Sequence, residues 1–219
     1  MPEWKDALAA LVTLVASFAG AWAAFRFESR RRKNEEDEKC VGAANRAIYV
    51  VYHYWNILEQ FRKEALEPHR GRSDAWLNLA VHPAAPVPTD NFQPNDLQFL
   101  LQTGQAETYV MLMLEEQRFL LALDLIKARS ELVLNEVRPR MSAAGIELRQ
   151  PMLPERIEKV LGIDATHKLK EITAALYKNV DEDLVSLREA HDKLRATMKS
   201  LYPCKKFVQV VFDSTNVAV

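Results

Sequence analysis

Five histidines, two cysteines and scattered carboxylates are the residues best suited to chemistry, and their spacing equips none of them for it. His53, His69, His82, His167 and His191 stand far apart, and none follows a glutamate by three residues in the Glu-x-x-His pattern of di-iron bundles. Cys40 and Cys204 have no second cysteine or histidine two to four residues away, so a zinc site has no local framework. The phosphate-cradling Gly-Lys-Ser/Thr loop, the dinucleotide fingerprint and the Gly-x-Ser-x-Gly elbow are all missing. The chain is expected to work by binding, without enzymatic activity, metal or cofactor.

Three smaller constellations remain. His191 falls on an apolar helical seam, where a neutral imidazole suits a pH sensor or a ligand; a packed histidine with one hydrogen bond is the expected reading. Tyr49, Tyr52, His53, Tyr54 and Trp55 wrap all round one helix, which predicts packing against two neighbours rather than a ligand pocket. Glu115 and Glu116 sit in a leucine-rich stretch and need a counter-charge if buried, with Arg118 the nearest.

The elements that hold these residues begin with Ala7 to Phe25, nineteen residues without a charge. As a helix this run is about 28 Å long, enough for the roughly 30 Å hydrocarbon core of a bilayer. Ala7, Leu11, Leu14, Phe18, Trp22 and Phe25 mark the expected span, and Trp4 and Trp22 lie near its two ends, where interfacial aromatics belong. Arg26, Arg30, Arg31, Arg32 and Lys33 follow at once. Basic residues on this side fix topology and meet anionic headgroups, which predicts an outside N-terminus and a cytoplasmic domain at a bacterial-type inner (plasma) membrane. A cleavable signal peptide places its positive charge before the apolar run, the reverse of this order.

Ten of the nineteen span residues are Ala, Gly or Ser. Small residues at Ala16, Gly20 and Ala24 recur every four positions, the spacing at which another helix backbone approaches closely. A homo-oligomer is therefore expected alongside the lipid bilayer and an unidentified protein partner. Nucleic acid is not, since 29 basic against 30 acidic residues leave no global basic field.

Helical periodicity with few glycines predicts an all-α fold: a single transmembrane helix, an antiparallel bundle of three to four main helices, and a short extended tail. The expected divisions are a transmembrane segment at 1–27, a charged stalk at 28–40, the bundle at 41–203 and the tail at 204–219. No proline lies between Glu3 and Glu67, so the span can run on through the stalk, supported by pairs such as Arg31/Glu35, Arg32/Glu36 and Lys33/Asp37, with Asn34 its weakest point. Val41, Ala44, Ile48, Val51, Trp55 and Leu58 form the packed face beyond it.

A proline-rich connection at 68–94 follows, with one helical turn expected around Trp76 to Ala80. The second helix begins near Asn95, breaks at Gly104 and runs to about Arg138, where Pro139 kinks or ends it. Apolar on nearly every side, it is expected at the centre of the bundle. A short helix spans Pro154 to Leu161, and the last long helix opens with Asp164 as N-cap. Its seam of Val180, Leu184, Leu187, His191, Leu194, Met198 and Leu201 alternates by four and three like a coiled coil. Lys206 to Phe212, β-branched and aromatic, is expected to form a strand.

The leading functional expectation is an interaction or signalling module on the cytoplasmic face. The competing one is an effector that oligomerises on a trigger and forms a pore or disrupts the bilayer.

Overall fold

The computed structural model describes residues 3–82, 91–146 and 154–212, and every regular element among them is a helix. α1 (Glu3–Phe61) is a single helix of 59 residues that carries both the apolar run and the first core helix. Asn34 interrupts nothing. A polar residue on an exposed helix face loses no hydrogen bond, so its modest propensity cost is absorbed by its neighbours. Past Phe61 the helix widens into a π turn (Arg62–Leu66) and tightens into a 3-10 turn (Glu67–His69) that contains Pro68. Proline has no N–H and its ring excludes the carbonyl four residues back, so the ladder changes pitch there.

Within the proline-rich connection a single turn, α2 (Ala75–Asn78), forms where one was expected. α3 (Gln98–Gln102) ends at Gly104, whose φ of 76° lets the Gln105 N–H reach back to the Leu100 carbonyl at 2.7 Å. α4 (Ala106–Leu132) then starts afresh.

Pro139 does not end this helical run. A π turn (Val133–Val137) precedes it and α5 (Arg138–Ala143) continues through it, because the wider turn makes room for the ring. Termination comes at Gly145, at φ 67°, where Ile146 N–H bonds Met141 O at 2.9 Å. α6 (Pro154–Leu161) keeps the expected bounds, and α7 (Ile163–Leu201) stops two residues before Pro203. Its N-cap is Gly162; Asp164 lies two positions further in and sits in the first turn.

α7 runs antiparallel to both other long helices. Toward the stalk Lys205 pairs with Glu38, and at the far end Tyr177 donates to the Leu66 carbonyl at 2.9 Å. Against α4, Thr108 meets Thr197 and Arg129 meets Thr173. α1 and α4 consequently run the same way, linked by Tyr54 to Glu116, while Arg46 of α1 pairs with Asp96 just ahead of α3. The helix that packs along the length of both others is α7, not α4, which meets α1 chiefly through side chains such as Phe119 on Tyr54. Leu112, Phe119, Leu123 and Ile126 of α4 are buried, whereas Leu114, Leu120, Leu121 and Leu134 are exposed.

The main core joins Ile48, Val51, Leu58, Phe119, Leu187 and Leu194; Trp76, Val137, Met141, Leu161 and Leu169 make a second one at the far end. Each such side chain stabilises the fold by about 1.5–3 kcal/mol through burial. The tail is no strand: Lys206 to Phe212 forms no regular element, and Phe207 and Phe212 pack on helices.

Candidate interaction site

The apolar half of α1 is bare. Leu11, Leu14, Phe18, Trp22 and Phe25 are all exposed, as are Ala16, Gly20 and Ala24, and nothing lies within 4 Å of a Cβ built on Gly20. Ala7 lies on the same helix, but its side chain falls outside the described residues. The Arg26 guanidinium stacks over Trp22, 5.2 Å from the ring centroid, which joins the end of the apolar run to the basic cluster. Along the stalk Arg31 reaches Glu35 at 3.3 Å, while Arg32 turns back to Glu28 at 2.9 Å instead of forward to Glu36. Glutamate before arginine is the better order on a helix.

The groove between α1 and α7 holds the tail. Val208 N–H donates to Asn45 Oδ1 at 2.9 Å, Arg195 to Gln209 Oε1 at 2.9 Å, and Arg188 to the Phe212 carbonyl at 2.9 Å. Phe212 stands edge-on to Tyr52, Trp55 and His191, with centroids 5.8, 5.1 and 4.8 Å away. Beneath it His191 is 2% exposed; Nδ1 meets Asp192 at 2.9 Å and the buried Nε2 has no partner. The aromatic cluster of α1 thus divides, Tyr52 and Trp55 facing the tail while Tyr54 lies flat on Phe119.

On the other side of α1 the chain returns from the proline-rich connection and forms a cleft of about 350 Å³. Ala43, Ala47 and Val50 give it an apolar floor, and Arg46, Tyr49, Asn91, Gln93 and Asp96 a polar rim. The Arg46–Asp96 ion pair separates it from a wider cleft toward the stalk, lined by Glu38, Cys40, Gly42 and Gln102 among others. Each rim residue is exposed.

Inside the bundle, Glu115 is 3% exposed, pairs with Arg118 at 2.8 Å and accepts from Ser186 at 2.6 Å. Glu116 accepts from Tyr54 Oη and the Phe92 N–H, both at 3.1 Å. Asp183 is buried close by; loss of water and the Glu115 charge push its carboxyl up to about 6. Arg129, 2% exposed, donates to Thr173 Oγ1 at 3.1 Å and to the Trp76 and Ala80 carbonyls at 3.0 and 3.3 Å. Burial lowers its guanidinium to about 10, which leaves it charged at neutral pH. It fastens the turn at α2 onto α4 and α7.

Neither Asp183 nor Arg129 stands out by residue type, yet both are in phase with buried neighbours. Asp183 falls three residues after Val180 and four before Leu187, and Arg129 three after Ile126. That phase is the signal that marks them as interior. None of these constellations aligns a nucleophile, a base and an open cavity; what they offer is surface and charge. Compared with known protein families, curated proteins and solved structures, the chain matches none of them.

Proposed function

We propose that this chain is a single-pass, membrane-anchored helical module that acts on the cytoplasmic face by binding and self-association. The supporting observation is α1 itself, one helix long and apolar enough to span a bilayer, whose apolar window is bare and which continues without a linker into the bundle core. An exposed apolar run of this length is costly in water and stable in lipid. The basic cluster after it favours retention of the bundle in the cytoplasm. The tail groove and the cleft beside Arg46 are the contact elements of this module.

The test is a topology and extraction experiment on the full chain. It should resist alkaline washing of membranes and dissolve only in detergent. A reporter that is active only in the periplasm, fused after Val219, should stay silent, and one fused before Met1 should be active. Release by alkali, or the opposite reporter pattern, rules the reading out.

A further inference from the structure

We infer that α4 carries a second packing face, on which a second copy of this chain docks with its own α4 running parallel. This inference rests on the membrane-anchored reading above. Val110, Leu114, Leu120 and Leu121 are 61%, 42%, 39% and 61% exposed, on a helix whose other side is core. At about 100° per residue, Leu114 and Leu121 stand about 200° round from Leu112 and Phe119, which are fully buried. The four side chains leave roughly 350 Å² of apolar surface in water, comparable to the largest patch on a typical monomer and usually functional at that size.

The occupant follows from the anchor and from the residues on the stripe. Copies held in one membrane by α1 share a direction, so a two-fold axis between them runs along the membrane normal and sets the two α4 helices parallel. On that axis a residue meets its own copy. Gln117, exposed between Leu114 and Leu121, has a carboxamide that both donates and accepts, so it complements itself. Asp124, one heptad further on, repels its copy, and Glu107 at the other end is already tied to Lys193. The contact line is therefore bounded at Val110 and Leu121, a length of about 17 Å.

Stable dimers in solution bury about 800 Å² per partner, more than this stripe supplies. Tethering in one membrane raises the effective concentration to roughly the millimolar range, where a patch of this size suffices. Pairing through α4 is thus confined to copies sharing a bilayer.

The test uses the full chain in liposomes, with Cys40→Ser and Cys204→Ser removing the native thiols and Gln117→Cys reporting on the axis. Mild oxidation should convert most of it to a disulfide dimer, while Val185→Cys, exposed on α7, should stay monomeric. Adding Leu121→Glu should reduce the Gln117→Cys dimer at least about tenfold with helix content unchanged. Should Leu121→Glu lose helix content, Val110→Lys at the end of the stripe should give the same reduction. A Gln117→Cys chain that resists alkaline extraction yet stays monomeric overturns the interface alone. Equal crosslinking at Val185→Cys, or a dimer that survives Leu121→Glu and Val110→Lys, also overturns it. A chain stripped by alkali removes the anchor and the inference together.

Discussion

Phe212 covers His191 edge-on at 4.8 Å and leaves the buried Nε2 of that imidazole without a hydrogen-bond partner. The seam of α7 asks for an apolar side chain at this position, and only Nδ1, with Asp192 at 2.9 Å, gains from the ring's polarity. An unsatisfied buried nitrogen costs about 1–3 kcal/mol, against about 1 kcal/mol for the bond that is made. His191→Leu should therefore be neutral to stabilising by about 1 kcal/mol, measured by thermal melting in detergent. A loss above about 2 kcal/mol would show that the imidazole is needed for more than packing.

The tail over it is held by surface contacts, and none of its described residues is fully buried. Deleting residues 205–219 should leave helix content unchanged while uncovering Tyr52, Trp55 and His191. The expected signature is a red shift in tryptophan fluorescence, since Trp55 gains water, with a stability loss of about 1–2 kcal/mol. An unshifted spectrum would mean that the groove is closed by something other than Phe212.

Asp183 sets a pH dependence whose sign is fixed. Its folded carboxyl titrates near 6, above the ordinary value of 3.8, so between those limits the folded state holds the extra proton and stability falls as pH rises. The group's full penalty is present above pH 6 and vanishes below about 4. Asp183→Asn removes a buried charge next to Glu115 and should stabilise the bundle by about 1–3 kcal/mol at pH 7.5, with a smaller gain at pH 5. Melting both chains at the two pH values checks this; a gain independent of pH would contradict the assignment.

Arg129 has the opposite expectation, because its partners stay behind when it goes. Arg129→Met keeps the apolar stem but leaves two carbonyls and the Thr173 hydroxyl without their donor, at a cost of about 2–4 kcal/mol. Arg129→Lys should rescue little, since one ammonium does not reproduce a planar fork aimed at three acceptors. Limited proteolysis after Arg70 and Arg72 should quicken in both variants as the turn at α2 loosens. Unchanged cleavage with lowered stability would place the role of Arg129 in the core alone.

What was legible in the sequence was what depends on period and on breakers. The face from Val41 to Leu58, the seam from Val180 to Met198 and the bounds of α6 follow from spacing and from Pro154 and Gly162. What was not legible depends on which helix stands between which others. An apolar run on every side of α4 fits a central helix as well as one with an open outer face, and only the arrangement around α7 decides. The tail shows the same limit: Phe207 and Phe212 suit a strand by propensity, but with no strand edge among the described residues they pack on helices instead. That the helical run passes Pro139 instead of ending there is not visible in spacing, because the π turn ahead of it is a local accommodation.

The last prediction concerns the stalk, because a signal or a force passes between span and bundle only if α1 is stiff there. Among the described residues, 29–36 are all exposed, and the helix is held there by its own hydrogen bonds with Arg31, Arg32, Glu28 and Glu35 along its surface. Spin labels at Phe25→Cys and Tyr49→Cys, both exposed sites, in a chain with Cys40→Ser and Cys204→Ser, are 24 residues apart in sequence. A continuous helix sets them about 36 Å apart with a narrow distribution. Asn34→Pro removes one hydrogen bond and drives its ring into the Arg30 carbonyl, a cost of about 3 kcal/mol local to the stalk. The distance should then shorten and broaden while the melting of the bundle stays the same, since its core begins at Val41. A broad distribution already present without the proline would mean that span and bundle move independently, and the chain would then be a tether rather than a lever.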